Sequence, residues 1–363
     1  MKNTFGTSVC VTLFGESHGA VTGAVIDGLA PGIPVDAEFI ARQLDLRRPW
    51  GSISTARREK DEFQIVSGVF KGKTTGTPLT ILIPNADTNS RDYAATRALA
   101  RPGHADYTAY AKYHGFEDYR GGGHFSGRIT AGLVAAGAVA VSALRGKGVC
   151  IGTHIARCGG EADRDFSDLK TDLEALNGKL FAVLDDARGE AMMAAISAAA
   201  AEGDSVGGVL ETAVTGLPAG VGEPWFDTLE GLLAHALFSV PGIKGVEFGA
   251  GFGGADWRGS AYNDPFYLDG AGIKTRTNRN GGINGGISNG MPLLFRCAVK
   301  PTPSIYKKQE TVDFLAGKEA VLTLGGRHDP AIIHRVRVVV DSVSALTLCD
   351  ALAQRYGTDW LTP

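Results

Sequence analysis

Short segments in which hydrophobic and polar residues alternate occur along the whole chain. A period of two is typical of strands that bury one face of a sheet. The pattern predicts strands over residues 9–14, 63–70, 79–84, 149–155, 206–214, 243–248 and 293–300. Strands are therefore expected in both halves of the chain.

A helical period recurs between these strands. Asp36 is a good N-cap for a helix that runs to about Leu46, with Pro34 just before it. Residues 128–145 are rich in alanine and apolar on all sides, which predicts a buried central helix. The apolar run 129–144 is shorter than the ~20 residues that span a bilayer, so we expect no membrane contact. Further helices are predicted over residues 190–202, 226–240 and 342–356.

Two long stretches, residues 85–127 and 249–292, are rich in turn-forming and polar residues. Irregular stretches of this length inside a compact chain are usually functional. No Pro/Ser-rich linker separates the two halves, and no strong internal repeat is present. The pattern predicts an α+β fold in which residues 1–363 form a single domain with a two-part core.

Composition and charge narrow the expected ligand. The 50 glycines among 363 residues predict many tight turns, or loops that wrap a ligand. The net charge of −3 argues against a general nucleic-acid binder. The charge is uneven, however: ten arginines lie between Arg42 and Arg128. Arginine fits carboxylate and phosphate oxygens in pairs, so a small anionic substrate is expected.

The five cysteines are scattered and none forms a Cys-x-x-Cys pair, so mostly buried thiols in a reducing compartment and no cysteine zinc site are expected. The eight histidines show no metal-ligand spacing, and no metal site is predicted. Because no signal peptide opens the chain, a cytoplasmic location is expected.

Three familiar motifs are matched only in part. Residues 15–19 fit the Gly-x-Ser-x-Gly elbow of serine hydrolases and follow a predicted strand, but only about fourteen residues precede them and no convincing helix follows. Residues 249–254 fit Gly-x-Gly-x-x-Gly, yet no helix opens after them. Residues 72–74 end like a phosphate-binding loop whose leading glycine is replaced by Ser67. A hydrolase built on Ser17 stays as an alternative.

Three glycine-bearing segments, residues 15–19, 101–106 and 120–128, combine histidine or arginine with small residues. Histidine exchanges protons near neutral pH, arginine binds anions, and glycine lets backbone N–H groups approach phosphate oxygens. Together they indicate acid-assisted chemistry on a phosphorylated or polycarboxylate substrate. Neither a cofactor nor a reaction type follows from these residues alone.

Ten motif stretches follow one another along the chain, at residues 15–19, 47–49, 54–59, 68–76, 101–107, 119–123, 244–248, 281–290, 300–304 and 326–330. This ordered set is very similar to the chorismate synthase family. The stretches run in family order over nearly the whole chain, and the set is far more specific than any one member.

The resemblance implies a lyase that converts 5-enolpyruvylshikimate-3-phosphate to chorismate and phosphate by 1,4-anti elimination, in the shikimate pathway of aromatic amino acid biosynthesis. It implies reduced FMN without net redox change, with NADPH as a possible reductant or an external flavin reductase as a partner. It also implies a β-α-β-α sandwich with central helices between antiparallel sheets, and a homotetramer. The alternative outside catalysis is a flavin- or phosphate-binding module that has lost its chemistry.

The resemblance assigns three kinds of site residue. The catalytic residues would be His18, His104 and Asp329. The substrate-binding residues would be Arg48, Arg57, Arg58, Arg101 and Arg128. The flavin would be bound by His124, Phe125, Ser126, Pro241, Gly242, Gly285, Lys300, Pro301, Thr302, Pro303, Ser304 and Arg327.

The chain departs from the family pattern after its triple glycine. The family often has Arg-Ser-Ser-Ala-Arg-Glu there, whereas this chain has His-Phe-Ser-Gly-Arg-Ile over residues 124–129. Arg128 keeps its place, and the change bears on flavin affinity and on the protonation roles. Ala331 stands where a cysteine is common, and we expect this change to be neutral.

Overall fold

The structure is a computed structural model that describes residues 2–51, 53–54, 61–86, 97–270, 272–326 and 328–363. Its strands, in chain order, are β1 Thr4–Phe5, β2 Cys10–Gly15, β3 Val21–Asp27, β4 Gln64–Ser67, β5 Val69–Phe70, β6 Lys73–Thr74, β7 Leu79–Pro84, β8 Cys150–Cys158, β9 Glu161–Ala162, β10 Gly208–Thr215, β11 Ile243–Phe248, β12 Phe266–Asp269, β13 Gly272–Thr275, β14 Ile283–Asn284, β15 Ile287–Ser288, β16 Leu293–Val299, β17 Gln309–Asp313 and β18 Lys318–Leu322. Its helices are α1 Ala37–Leu46, α2 Asp106–Tyr113, α3 Thr130–Arg145, α4 Leu169–Leu176, α5 Asp186–Ala201, α6 Leu229–Phe238, α7 Gly259–Tyr262 and α8 Ile333–Tyr356.

Two antiparallel sheets form the frame. The first has the order β1-β2-β3-β7-β4 and the second the order β11-β16-β10-β8-β9. In the first sheet β3 pairs with both β2 and β7, so that Ala24 lies between Leu13 and Ile81. In the second sheet β10 pairs over nearly its whole length with β8 and β16.

The helices α3 and α8 lie between the two sheets. Helix α3 packs on β3 and β7, and α8 packs on β8 and β10. Small residues allow close contact: a Cβ on Gly132 would lie 2.6 Å from the backbone of Gly23, and one on Gly137 would lie 2.2 Å from the Cβ of Ser342. Helices α4 and α5 pack on the second sheet through β8 to β10. The layers are therefore sheet, helices, sheet, helices, which confirms the expected sandwich.

Residues Gly127–Arg145 form the one helical stretch in the described chain that is long and apolar enough to cross a membrane. Its mean hydropathy is 1.6, and 89% of the apolar window is buried inside the protein. This burial confirms the prediction of a central core helix. A continuous cluster of buried apolar side chains includes both sheets together with α3 and α8. The single domain over residues 1–363 stays a prediction, which this shared core supports.

Several elements differ from the sequence prediction. The irregular stretch 85–127 contains α2, in which only Ala109 is buried, so no apolar stripe signals it. Helix α8 begins at Ile333, nine residues before the predicted start. Its first turns carry charged side chains that form ion pairs inside the protein, and these residues look like surface positions in the sequence. The predicted strand 63–70 is broken at Gly68, whose φ is +83° and where a Cβ would lie 2.4 Å from the Cα of Leu79. Strand β3, helix α4 and the β12–β13 and β17–β18 hairpins were not predicted.

Candidate active site

The triple glycine that follows β7 and α2 forms a loop with left-handed backbone. Gly121, Gly122 and Gly123 have φ values of 59°, 84° and 54°, a region that favours glycine. A Cβ on Gly121 would lie 2.2 Å from Cε1 of His18, and a Cβ on Gly122 would lie 3.2 Å from Cε1 of His104. The loop therefore lies against both predicted catalytic histidines and brings them to one place. Only residues without a side chain fit between them.

The His18 loop connects β2 to β3 and is held by backbone contacts. The Ser17 amide donates to the Gly123 carbonyl at 3.1 Å. The Asn85 amide nitrogen donates to the carbonyls of Glu16 at 3.0 Å and Gly19 at 2.8 Å. The Nδ1–H of His124 donates to the Gly15 carbonyl at 2.7 Å. These hydrogen bonds are made by the backbone around His18, so they fix the position of the residue without using its imidazole.

Ser17 is buried, and its hydroxyl has no hydrogen-bond partner among the described residues. A serine nucleophile needs a base within hydrogen-bond reach. The geometry therefore gives no support to the hydrolase alternative.

His104 lies in a compact cluster with Arg101 and Asp106. Asp106, the first residue of α2, accepts from Nδ1 of His104 at 2.8 Å. The Arg101 guanidinium donates to both carboxylate oxygens of Asp106, each at 2.7 Å. Burial by itself raises the pKa of Asp106, but the hydrogen bonds from Arg101 and His104 hold that pKa well below its usual range. Asp106 is therefore a carboxylate across the physiological range.

Arg128 and Arg47 share one buried carboxylate, Asp61. The Arg47 guanidinium lies 2.7 Å from one oxygen of Asp61, and that of Arg128 contacts the other. Burial raises the pKa of Asp61, but the two guanidiniums outweigh it and lower that pKa, while burial lowers the pKa of Arg47. Arg128 also donates to the Asn85 side chain at 2.8 Å and to the Pro84 carbonyl at 3.0 Å. These contacts place Arg128 beneath the His18 loop, where it orients Asn85.

The other predicted substrate and proton-transfer residues lie near the start of α8 and the end of α1. Arg48 pairs with Asp45 at 2.5 Å and keeps a partly exposed side chain. Asp329 is paired with Arg335, which also donates to the Arg47 carbonyl at 2.8 Å. This chain of contacts ties Asp329 to the segment that carries Arg48.

Arg57, Arg58 and Arg327 lie outside the described residues. The segment 55–60 is bracketed by anchors on both sides. Ser54 lies 2.7 Å from Nε2 of the buried His334, and Asp61 binds Arg47 and Arg128. Burial lowers the pKa of His334 to about 4, so this imidazole is neutral at physiological pH.

The predicted flavin segment 300–304 packs against the loop that carries His104, residues 101–104. The Lys300 amide donates to the Gly242 carbonyl at 2.9 Å, and its ammonium donates to the Gly103 carbonyl. A Cβ on Gly103 would lie 3.3 Å from Cβ of Pro303. Burial, followed by the charge of Lys244, lowers the pKa of Lys300. The residues 241–242, 300–304 and 101–104 are therefore neighbours.

The remaining predicted flavin residues divide into two groups. Phe125 is partly exposed and packs its ring edge against Tyr113, while Ser126 accepts from the Arg128 amide at 3.3 Å. Gly285 is apart from the set: it lies in the β14–β15 turn, whose Gly286 carbonyl accepts from the first amide of α6. Pro241 and Gly242 follow the other end of this ten-residue helix, which is about 15 Å long.

Three residues of the site escaped prediction: Asp61, Asn85 and Asp106. Asp106 lies inside a motif that the sequence singles out, two residues after His104, and this proximity is a usable signal. Asp61 and Asn85 contact Arg128 from 67 and 43 residues away, and no local pattern reveals such pairs.

Known proteins resemble this chain over almost its full length. A family model described as "Chorismate synthase" matches residues 9–353. Proteins named chorismate synthase from Dehalococcoides mccartyi and Chitinophaga pinensis are 45% and 46% identical to it, over 98% and 96% of this chain and the same shares of theirs. The protein of that name from Thermococcus kodakarensis is 44% identical over 96% of this chain and 97% of its own. A solved structure entitled "Crystal Structure of Chorismate Synthase" superposes with a TM-score of 0.77 at 28% identity, covering 98% of this chain and 94% of that one.

Proposed function

This chain belongs to the chorismate synthase family, and from that premise we propose which of its residues carry out each part of the reaction. The chain is a lyase of the shikimate pathway that converts 5-enolpyruvylshikimate-3-phosphate to chorismate and phosphate. The family uses reduced FMN. The observation that carries the assignment of residues is the triple-glycine loop, in which Gly121 packs against His18 and Gly122 against His104.

His104 is the acid for the departing phosphate. It lies beside Arg101, and its Cε1–Nε2 edge faces the backbone of Gly122, where no side chain blocks an incoming group. A phosphate leaves more easily when a proton reaches its bridging oxygen and a guanidinium neutralises its charge. Both groups are present within one loop of four residues.

His18 serves the flavin side of the site. It packs against Gly121 and lies near the carboxylate of Asp118, which is paired with Arg120 at 2.7 Å. Two histidines that pack against successive glycines of one loop can hold protons at two positions of the site. Asp329, fixed by Arg335, completes the set of proton-handling residues.

The substrate carries two carboxylates and a phosphate, and the arginines bind them. Arg48 and Arg101 keep partly exposed guanidiniums near the site. We assign Arg57 and Arg58 to the same task, because Ser54 and Asp61 anchor the chain on either side of them. Arg128 supports substrate binding through the groups it positions, because it contacts Asp61, Asn85 and Pro84 beneath the loop.

The residues around 300–304 fit a flavin mononucleotide. The Thr302 hydroxyl is buried without a partner among the described residues, which is the state expected of a group that awaits a ligand. Lys300 supplies a cation, and the partly exposed ring of Phe125 offers an apolar face. The lining would be completed by His124, Ser126, Pro241, Gly242, Pro301, Pro303, Ser304 and Arg327, together with Gly285 from the β14–β15 turn. When bound, reduced flavin supplies the electron density that the leaving of phosphate demands.

The source of the reducing equivalents is a separate part of the proposal. We assign NADPH as the reductant, with an external flavin reductase as the alternative, and a cytoplasmic location where both are found. All five cysteines are free thiols, which supports a reducing compartment. The two sources are separated by adding NADPH to the purified protein with FMN and monitoring flavin absorbance. A loss of absorbance shows that the protein reduces its own FMN, and no loss shows that an external reductase is needed.

We also propose a homotetramer. The region 252–273 exposes large apolar side chains to solvent in the single chain, including Phe252, Phe266, Leu268 and Ile273, of which Leu268 and Ile273 face each other across the β12–β13 hairpin. Exposed apolar groups of this size mark interfaces more often than free surfaces. Light scattering on the purified protein measures the assembly directly: four copies are expected, and a monomer at micromolar concentration contradicts the proposal.

Anaerobic turnover tests the proposed function. The substrate is mixed with the protein and dithionite-reduced FMN, and chorismate absorbance and phosphate release are followed together. Equal amounts of both products are expected. Flavin binding with neither product would favour the binding-module alternative and direct attention to the altered segment 123–129, whereas failure to bind flavin would contradict the assignment of residues 300–304.

A further inference from the structure

We propose that Asp106 is the positioning residue of the proton donor: its carboxylate accepts from Nδ1 of His104 and leaves Nε2 as the nitrogen that faces the substrate. The inference rests on the proposed role of His104 and extends it to a residue that touches neither substrate nor cofactor. It also explains why His104 and Arg101 act as one unit.

The contacts around Asp106 form a closed arrangement. One carboxylate oxygen lies 2.8 Å from Nδ1 of His104 and 2.7 Å from a terminal nitrogen of Arg101. The other oxygen accepts from Nε of Arg101 at 2.7 Å and from the Arg101 amide at 3.1 Å. The His104 amide donates to the Arg101 carbonyl at 3.0 Å and closes the turn between them. Asp106 therefore fixes the loop that holds both side chains.

The opposite edge of the imidazole faces the glycine loop, and the Arg101 nitrogen that binds Asp106 lies 3.3 Å from Nε2. A Cβ on Gly122 would lie 3.2 Å from Cε1 and 3.4 Å from Nε2 of His104, which shows that this edge points toward the glycine loop. The two ring nitrogens thus have different surroundings: a carboxylate binds Nδ1, and a glycine beside Nε2 leaves room for a substrate group. This division is the arrangement by which a carboxylate selects the tautomer of a catalytic histidine.

One neighbour competes with Asp106 for Nδ1. A terminal nitrogen of Arg101 lies 2.9 Å from the same atom and can only donate. If Arg101 donated to Nδ1, the neutral ring would carry its proton on Nε2 and Asp106 would not be needed for catalysis. The same Arg101 nitrogen also lies 3.3 Å from Nε2, so it approaches the ring near Cε1 and not along the lone pair of Nδ1. We therefore infer that the carboxylate of Asp106 is the hydrogen-bond partner of Nδ1 and that Nδ1 bears a proton.

The proton balance of the step is simple. The C–O bond to phosphate breaks with its electron pair on oxygen, and His104, protonated on both nitrogens, passes the proton on Nε2 to that phosphate and keeps the one on Nδ1. The hydrogen lost from the substrate ring reaches solvent as a proton, and its bonding electrons form the new ring double bond. Solvent reprotonates Nε2 for the next turnover. Asp106 stays ionised throughout and transfers no proton.

The first test measures the protonation of His104 in the whole protein by nitrogen-resolved NMR, with His104→Gln used to assign the signals. A proton on Nδ1 in a short hydrogen bond is expected, and the signal should vanish in Asp106→Asn. A wild-type ring protonated only on Nε2, with Nδ1 unprotonated, would overturn the proposal whether or not any variant folds.

The second test compares Asp106→Asn with a matched control. Asp172→Asn removes a carboxylate that also binds one arginine, Arg164, through both oxygens and accepts a backbone amide, but it lies on α4 in the outer helical layer. Asp106→Asn should lower kcat about 10- to 100-fold while the Kd of FMN changes less than about twofold. Asp172→Asn should leave both unchanged. Equal kcat in wild type and Asp106→Asn, or equal losses in the two variants, would contradict a positioning role.

The two proposals fail in different ways. If the wild type forms no chorismate, the proposed function fails and the kinetic comparison has no basis, but the NMR signal still reports on the His104–Asp106 bond. If the wild type is active and Asp106→Asn keeps its kcat, only the positioning role fails.

Discussion

Two histidines in this molecule each bind an aspartate through Nδ1 but differ in burial and in the surroundings of Nε2. His104 and His154 each bring Nδ1 to 2.8 Å from an aspartate, Asp106 in one case and Asp163 in the other. The His104 side chain is 18% exposed and its Nε2 edge faces Gly122. His154 is 1% exposed, its Nε2 lies 3.1 Å from Glu211, and its ring packs against Phe166.

The difference teaches what makes a histidine–aspartate pair useful for proton transfer. At His154 both nitrogens are closed by carboxylates, so the imidazole joins β8, β10 and the segment after β9 and has no position left for a substrate. At His104 one nitrogen binds a carboxylate, whereas the other lies beside the glycine loop and the Arg101 guanidinium, which can themselves receive a phosphate. A geometric search for histidine–carboxylate pairs alone would therefore select both sites, whereas the state of the second nitrogen separates them.

The largest expected effect is on stability and falls on the closed pair. Replacing His154 with alanine leaves the carboxylates of Asp163 and Glu211 without the imidazole that binds both of them, and we expect the free energy of unfolding to drop by about 3 kcal/mol. Urea denaturation measures this drop. His104→Ala, at a partly exposed position, should cost less than about 1 kcal/mol. Equal losses of stability in the two variants would break the comparison.

The second effect is on activity and comes from placing a side chain against the Cε1–Nε2 edge of His104. Gly122→Ala adds a methyl group 3.2 Å from Cε1 of the ring at a φ of 84°. We expect kcat to fall about 100-fold, since displacing a catalytic group by a fraction of an ångström is costly. Steady-state anaerobic kinetics measure it.

Gly148→Ala is the matched control for this substitution. Gly148 has a similar φ of 75°, and nothing lies within 4 Å of its added Cβ. Both variants should lose about 1 kcal/mol of stability from backbone strain, and only Gly122→Ala should lose activity. A fall in kcat in Gly148→Ala would show that the loss arises from general destabilisation.

The third effect concerns pH and again separates the two histidines. Burial lowers the pKa of His154, but its bonds to Asp163 and Glu211 outweigh burial and raise it. A raised folded-state pKa gives stability that is fully present below the unfolded value of about 6.5 and is lost as pH rises through the folded value. The free energy of unfolding of the wild type should therefore decline as the pH rises above about 6.5.

His154→Gln should flatten that decline, because the substituted side chain does not titrate. Unfolding curves at several pH values test this. The same slope in wild type and variant would show that His154 is not the group responsible.

The smallest effect is on flavin affinity. Thr302→Val removes a buried hydroxyl without a partner among the described residues. If that hydroxyl binds the cofactor, the Kd of FMN should rise about fivefold, as measured by fluorescence titration. An unchanged Kd together with a more stable protein would show that Thr302 takes no part in flavin binding.

The sequence predicted the parts of the fold that have a strong local pattern. Strand β7 has the predicted bounds because its residues alternate between buried and exposed faces, and α3 was predicted because it is apolar all round. Helix α8 was predicted nine residues too short, since His334, Arg335, Arg337 and Asp341 look like surface residues until their partners are known. Helix α2 carries no apolar stripe and was missed.

The site was predictable to a similar degree. Sequence motifs pointed to His18 and His104, which the structure brings against successive glycines of one loop. They could not distinguish Arg101, partly exposed beside His104, from Arg128, which is buried against Asp61. Whether an arginine faces a substrate or a carboxylate 67 residues away depends on tertiary contacts, and no local spacing encodes them.

The most direct test of the central claim is a single anaerobic turnover of His104→Ala at full occupancy by reduced FMN, with chorismate and phosphate followed together and compared with the wild type. The account predicts that both products form about 100- to 10,000-fold more slowly in the variant, with flavin affinity unchanged. Product formation within about threefold of the wild-type rate would contradict the assignment of His104 as the proton donor.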